Sequence, residues 1–514
     1  MKKLLATSLL AAGGVVIQAA DRPNIVLFMV DDMGWQDTSE PFWSEVTTYN
    51  QLCHTPNMER LARQGVKFTQ AYACAVSTPT RTSLMTGMNA ARHRVTTWTL
   101  HHNQPTDAPD AQLAFPSWNF NGLQPEGAGI NNGIEATTLA SILRDNGYHT
   151  IHVGKAHWGS ADTPGANPLN LGFDVNVSGT EIGGLGSYYG QENFGTGVFH
   201  VTGLEKYHGK DINITEALTR EALAKLNQRP AHQPFYLYMS HYTVHVPIQL
   251  DPRFKDNPRY AGYSGKELAY LTMIEGMDKS LGDLLNWLEA NGQAGNTVVL
   301  FMSDNGGHSS IGNITVDGKK YNHNYPLRSS KGSVYEGGIR EPMLVKWPGV
   351  VAAGTRIDEP VIIEDFFPSI LEIAGVRHYT PLQTLDGKSF VPLLQGQAGP
   401  ASGNRSLYWH FPNRWGELAD GSLAYSAVRQ GDYKFIFRWH TGEMELYNLK
   451  EDIGEQMNLL PAKNAELQAV ADALVNNLSD YLREVKAQRP RSKALGTLLP
   501  WPDEAFAGAA PPAR

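Results

Sequence analysis

The sequence predicts an α/β protein: a large mixed, mostly parallel sheet sandwiched by helices, followed by a smaller antiparallel sheet plus helix. Three observations predict it. Apolar runs such as "PNIVLFMVDDMG" and "TVVLFMSDNGG" stop abruptly at acidic or amide residues, as strands buried on both faces do where they leave a sheet. Helical segments with start and stop signals alternate with these runs. Beyond about residue 385 the alternation gives way to short strands joined by tight turns.

In chain order, "PNIVLFMVDDMG" is the first buried strand, and Asp31 and Asp32 open its exit loop. "TPNMERLARQG" is a helix with Thr55 as N-cap, Pro56 at the first helical position and Gly65 at the stop. In "CAVSTPTRTSLMTG", Pro79 suits a first helical turn, so Ser77 falls at or just before a helix N-terminus. "TTLASILRDNG" is a helix that feeds the strand "YHTIHVGK". "PFYLYMS" is a strand, residues 266–290 carry helical spacing, and "TVVLFMSDNGG" is again a strand. "PMLVKW" and "FFPSILEIAG" add one more strand and helix. "RSLYWHF", "YSAVRQGDYKFIFRW" and "EMELYNLK" then form the small sheet, and a helix over roughly 464–486 follows. The Pro- and Ala-rich end is expected to lie extended. The chain thus divides into residues 1–20, a catalytic domain over 21–385, a sheet-plus-helix unit over 386–490 and a tail over 491–514.

Bulk properties narrow the function. The 514 residues suffice for one large core and a smaller companion. With 41% hydrophobic and 18% charged residues, wholesale disorder is excluded. A formal net charge of -8 gives no support to a nucleic-acid partner. Lys2 and Lys3, the apolar "LLATSLLAAGGVVI" and the small Ala19 and Ala20 form an export signal, too short for a membrane span. No second long apolar segment follows, so the exported chain is expected to lack a membrane span. Cys53 and Cys74 can pair in an oxidising compartment, and their spacing does not decide whether they do.

Ligands of such sheets collect beyond the carboxyl ends of the strands. Asp31, Asp32, Lys155, Asp304 and Asn305 all fall just past expected strand ends. Adjacent carboxylates repel, and a cation relieves them. Four oxygen-bearing side chains suit a hard ion, Ca2+ or Mg2+. At a helix N-terminus, Ser77 sits where free N–H groups favour an anion. Arg81, four residues on, can fold back toward it.

With these residues in view, the chain resembles the type I, formylglycine-dependent sulfatases. Ser77-x-Pro79-x-Arg81 followed by Thr86-Gly87 resembles the family signature. "GKAHWG" resembles its Gly-Lys-x-His-x-Gly segment, "VHVP" its Pro-His-x-Pro segment, and "SDNGG" a metal segment. "SKGSVYEGGIREPMLVKWPG" resembles its Lys-Gly-x-x-x-Glu-Gly-Gly segment. The likeness runs from about residue 22 to 485 and implies an alkaline-phosphatase-like fold. It further implies one Ca2+ held by Asp31, Asp32, Asp304 and Asn305 and touching Ser77, which a maturase converts to formylglycine. Arg81 would steady the hydrated aldehyde. Lys155, His157, His245 and Lys331 would surround the sulfate, His245 or Lys331 protonating the leaving oxygen. Asp304 could take a proton from the nucleophile, and His157 would help regenerate the aldehyde. The Ser form of the signature implies an anaerobic maturase acting before export, in an anaerobic or facultative bacterium, with the product periplasmic or secreted.

Two long segments, about 92–133 and 160–205, carry aromatic and polar residues suited to a sugar. Arg94, Trp98, His101 and His102 are the expected substrate contacts. The expected substrate is a sulfated glycan attacked at a chain end, with galactose or N-acetylgalactosamine sulfate as the first choice. Two rivals remain. One is a phosphate mono- or diesterase of the same fold using unmodified Ser77, which an all-oxygen, single-ion ligand set disfavours. The other is a non-catalytic module that binds sulfated glycans, which the intact Arg81, Lys155, His157, His245 and Lys331 disfavour.

Overall fold

A computed structural model of the protein describes residues 22–311, 313–316, 318–399, 404–416 and 420–509. The expected export signal over 1–20 lies outside the described residues. The main sheet is built from β1 (Asn24–Val30), β2 (Val66–Tyr72), β3 (His149–Gly154), β4 (Val175–Val177), β5 (Phe235–Ser240), β6 (Thr297–Ser303), β7 (Arg340–Lys346), β8 (Thr355–Ile357) and β9 (Val361–Ile362). Its spatial order is β8-β2-β7-β6-β1-β5-β3-β4, with β9 also paired to β2. All pairings are parallel except those of β7, which runs antiparallel to both β2 and β6.

Alternation within the apolar runs explains why they are continuous. Ile25, Leu27 and Met29 of β1 enter one core, and Val26, Phe28 and Val30 enter the other. The first core is closed by α2 (Ser77–Thr86), α3 (Leu139–Asp145) and α6 (Phe366–Ile373); the second by α1 (Pro56–Gln64), α4 (Ile214–Gln228) and α5 (Gly265–Ala290). A sheet covered on both faces needs apolar residues at every position. Among the described residues, no helix is long and apolar enough to cross a membrane.

Register then builds the rim. Gly154 lies beside Ser240, Ser240 beside Met29, and Val30 beside Ser303. The residues that follow β3, β5, β1 and β6 therefore emerge side by side. Because β7 is antiparallel, it starts at this same rim and brings the segment before Arg340 to it.

The second unit is an antiparallel sheet of β10 (Ser406–Arg414), β11 (Leu423–Gln430), β12 (Tyr433–Arg438) and β13 (Met444–Asn448), backed by α7 (Ala465–Glu484). One sheet face joins the first core through Leu407, Trp409, Ile436 and Tyr447. The other packs Val428, Phe435, Phe437 and Leu446 against Leu474, Leu478 and Leu482 of α7. Phe390, Val391 and Leu393, between the two sheets in the chain, pack into the same core as both of them. The tail is not simply extended: Arg491–Ser492 pairs with Leu113–Ala114, and Pro502–Ala509 forms α8. The Asp503 carboxylate ties α8 to Arg483 of α7 with two hydrogen bonds of 2.8 Å. Cys53 and Cys74 are both free thiols.

A fully buried ion network joins the units. Lys434 of β12 lies 3.0 Å from Glu336 and 2.9 Å from Glu455, all three with no exposed side-chain surface. Glu336 also accepts from the Tyr72 hydroxyl at 2.6 Å. Removing one member of a buried charge network leaves its partners uncompensated. Lys434→Ala is therefore expected to destabilise the protein by about 3–5 kcal/mol, read as a lowered urea midpoint; a midpoint within error of the parent would contradict this role.

Candidate active site

Adjacent strand-end loops are stitched together before any side chain acts. The Asp31 N–H donates to the Thr243 carbonyl at 2.9 Å, and the Asp304 N–H to the Val30 carbonyl at 3.0 Å. Asp32 adopts a left-handed backbone (φ 62°), which turns its side chain at the strand end. Three carboxylates, those of Asp31, Asp32 and Asp304, are buried completely at this rim.

Each carboxylate meets a cation from a different element. Lys155, just past β3, donates to Asp31 Oδ2 at 2.7 Å and lies 3.9 Å from Asp304. Arg81 of α2 grips Asp304 Oδ2 from Nε at 2.9 Å and from its second terminal nitrogen at 2.8 Å. Its other terminal nitrogen donates to Ser240 Oγ at 2.6 Å and to the Lys155 carbonyl at 3.1 Å. Lys331, ahead of β7, donates to Asp32 Oδ1 at 2.6 Å. Burial opposes ionisation of Asp32, but Lys331 and the neighbouring positive groups hold its carboxyl well below the usual range. Burial and the neighbouring Asp304 push the Asp31 carboxyl well above its usual range, against the pull of Lys155. For Asp304, Arg81 and Lys155 outweigh burial and lower it.

Ser77 is the first residue of α2 and stands in this cluster. Its hydroxyl receives a hydrogen bond from Lys155 Nζ at 2.9 Å and lies 3.3 Å from Asp31 Oδ1 and 3.2 Å from Asn305 Oδ1. The same Asn305 donates through Nδ2 to Asp32 Oδ1 at 2.7 Å.

Two histidines flank Ser77. His157 Nε2 is 2.9 Å from the Thr99 carbonyl and 3.1 Å from the Thr78 hydroxyl. A carbonyl only accepts, so the proton sits on Nε2. That leaves Nδ1 as a lone pair, buried and without a hydrogen-bond partner. Burial and Lys155 push the His157 imidazole well below its usual pKa. His245 donates from Nδ1 to the Val246 carbonyl at 2.7 Å, and its Nε2 lies 3.8 Å from Asp32. Burial and Lys331 push it down to about 3.

The cluster fits a hard divalent cation. Asp31, Asp32 and His245 offer ligand atoms all within 4.8 Å of one another. Asp32 Oδ2 is buried and accepts no hydrogen bond. Asp304 Oδ1, 3.3 Å from the Asp32 N–H, and Asn305 Oδ1, 3.2 Å from the Ser77 hydroxyl, are further oxygens beside it, and the oxygen members of this group suit Ca2+ or Mg2+. A cavity of about 180 Å3 opens over Ser77, His157, His245 and Lys331.

Comparison with known proteins decides the class. The sulfatase family pattern matches residues 23–376, well over half of the chain. The chain belongs to the sulfatase family. It is a sulfuric ester hydrolase with the alkaline-phosphatase-like fold of its structural neighbours. A further pattern, the C-terminal region of N-sulphoglucosamine sulphohydrolase, matches residues 329–485. A sulfatase of Formosa agariphila is 28% identical over 529 aligned positions, spanning 92% of this chain and 91% of that one. The human N-acetylgalactosamine-6-sulfatase is 26% identical, spanning 92% and 88%. The crystal structure of Ps i-CgsB in complex with k-i-k-neocarrahexaose superposes with a TM-score of 0.68 at 26% identity, over 90% of this chain and 93% of that one.

In this sulfatase the residues expected from the sequence meet at one place: Asp31, Asp32, Ser77, Arg81, Lys155, His157, His245, Asp304, Asn305 and Lys331 all lie at the rim. The expected substrate contacts divide. Trp98 lines the cavity. Arg94 instead donates to the Lys486 carbonyl at 2.7 Å, beside the second unit. His101 and His102 are exposed and do not line the cavity. Their loop turns its polar residues to solvent while Trp98 and Leu100 pack inward.

Sequence reasoning missed Gly183, Gly184, Phe199, His308 and Trp415, which also line the cavity. Only the paired glycines carried a signal. A Cβ on Gly183 would lie 2.2 Å from His157 Cε1, and one on Gly184 2.8 Å from His245 Cε1. The two histidines reach the cavity because these positions are bare. Gly183→Ala must displace the His157 ring, and a misplacement on the ångström scale costs about 100-fold in rate. The expected outcome is that loss in kcat for sulfate release at an unchanged unfolding midpoint; an unaltered kcat would remove His157 from the reacting geometry.

Proposed function

We propose that this sulfatase removes sulfate from a sulfated carbohydrate through a formylglycine at position 77 and one Ca2+. The observation that carries the reading is the Ser77 hydroxyl, fixed by Lys155 between Asp31 and Asn305 at the start of α2. The signature around it supports modification by an anaerobic maturase, and the N-terminal apolar segment supports export to the periplasm or beyond. Relatives named for N-acetylgalactosamine 6-sulfate and a neighbour solved with a neocarrahexaose support a sugar substrate. Galactose or N-acetylgalactosamine sulfate, attacked at a chain end, is the first choice.

The ion would be held by Asp31, Asp32, Asp304 and Asn305 and would supply positive charge beside the sulfate oxygens. Hydrated formylglycine supplies one hydroxyl to attack sulfur and a second to expel sulfate afterwards, without water attacking sulfur. The chain's own groups do the rest. Lys155 and Lys331 converge on the non-bridging oxygens, where charge builds as the ester bond breaks. The N-terminal N–H groups of α2 face the same anion. Arg81, clamped on Asp304 and Ser240, steadies the oxygen atoms on residue 77. Asp304 stands ready to take the proton of the attacking hydroxyl. The leaving sugar oxygen takes a proton from Lys331, or from His245 when its Nε2 also carries one, both at the cavity wall. His157 Nδ1 is the open base that receives a proton as sulfate departs.

Ser77→Ala tests the reading. It should lower sulfate release at least about a thousandfold with the fold retained, because Ala cannot become the nucleophile. Sulfate release near the parent rate would sink the mechanism. Turnover of phosphate esters alone by the parent, lost in the same variant, would favour a phosphoesterase with unmodified Ser77.

A further inference from the structure

The cavity over Ser77 has a mixed lining. Ser77, His157, His245 and Lys331 are among its polar members, with His308. Val76, Trp98, Phe199, Val246 and Trp415 are its large apolar members. Lys331 is the only lysine or arginine among the described lining residues; it donates to Asp32 at 2.6 Å and, in the mechanism above, also meets the ester sulfate.

Trp415 is not a loose surface residue. It is 8% exposed and follows directly on β10 of the C-terminal sheet. Its ring lies against Gly332, where a Cβ would come within 2.2 Å of Trp415 Cε3. The His308 ring meets it edge-on with centroids 5.8 Å apart, and Lys331 Nζ sits 5.8 Å from its centroid. The end of β10 is bound to the segment that carries Trp98: Thr96 Oγ1 donates to Asn413 Oδ1 at 2.6 Å, and the Ala108 N–H to the Arg414 carbonyl at 3.1 Å. One hydrogen-bonded strip thus fixes both tryptophans. Phe199, 41% exposed, stands at the open side.

We propose that the leaving-group subsite is an aromatic slot, closed by Trp415 from the C-terminal sheet, that accepts a single uncharged ring carrying one sulfate. It discriminates against rings bearing a second anionic group. The proposal rests on the sulfated-carbohydrate reading and names the class of sugar within it. A pyranose presents an apolar C–H face that stacks on indole, and a second anionic substituent in the same slot would be stripped of water while the one lysine of the lining already serves Asp32 and the ester sulfate. The enclosed part of the cavity, about 180 Å3, is on the scale of one ring. The second unit is then part of the active site, and Trp415 is a specificity-determining residue.

The test uses the full sulfatase carrying modified residue 77. Galactose and N-acetylgalactosamine monosulfates are each compared with the disulfate that contains the same ester. Methyl 4-(sulfooxy)benzoate is compared with 4-(sulfooxy)benzoate, a pair that removes the question of sulfate position. The uncharged member of each pair that turns over should have kcat/KM at least about tenfold higher. Trp415→Ala should raise KM for uncharged substrates about tenfold with kcat little changed, and Trp415→Phe should recover most of that loss. Equal or better turnover of the charged members, or an unchanged KM in Trp415→Ala, would overturn the slot. Should Trp415→Ala fail to fold, the comparison of substrate pairs on the parent protein decides alone. Cleavage of the aryl pair with no sulfate released from any sugar would overturn the carbohydrate reading and leave the slot to be judged on that pair. No release from any probe would overturn both.

Discussion

Three carboxylates brought to one place inside a protein repel each other and lose their water; everything at this rim answers that constraint. Asp31, Asp32 and Asp304 are delivered by two neighbouring parallel strands, where the backbone register leaves them no freedom to separate. Arg81, Lys155 and Lys331 answer them one for one. A buried carboxylate with a well-placed cation tolerates burial that would otherwise be prohibitive. Lys331 also lines the cavity, and Lys155 donates to the Ser77 hydroxyl that opens on it. On the proposed mechanism, assembling the site and binding the anion draw on one set of charges, so few of these residues can be changed for stability without touching chemistry.

The antiparallel β7 and the C-terminal sheet have a larger part than a companion domain suggests. β7 reverses direction so that Lys331 approaches the rim from the side opposite Lys155. The segment between Lys331 and β7 is anchored by Glu336, which Lys434 of the second sheet neutralises in the core. Trp415 comes from that same sheet and leans on Gly332. The second unit therefore sets the position of Lys331 and of Trp415 in the cavity lining together.

Much of this was legible in the sequence, for a physical reason. Strand ends that break from apolar to acidic, as at Asp31 and Asp304, announce a rim, and Pro79 announces the helix that Ser77 begins. Where tertiary partners override local rules, legibility fails. Thr55 precedes a helix as expected, yet its hydroxyl makes no cap and accepts from the Ser39 N–H at 2.8 Å. Pro502–Ala509 is helical because Asp503 and Trp501 find Arg483, a partner that the Pro- and Ala-rich composition hides. Arg94, His101 and His102 had the composition of sugar contacts but lie outside the cavity, whereas Trp415 and His308 line it without any local pattern. Those placements depend on contacts across hundreds of residues, which spacing along the chain does not encode.

The central claim is that Ser77 becomes an aldehyde in the place where Lys155, Asp31 and Asn305 hold it. The most direct measurement is the mass of the peptide spanning Cys74–Gly87, from protein produced with an anaerobic maturase, before and after reaction with a carbonyl reagent. The account predicts a peptide about 2 Da lighter than the encoded one, the loss of one H2 from serine, and its capture by the reagent. A peptide of encoded mass, in a protein that nonetheless releases sulfate, would contradict it.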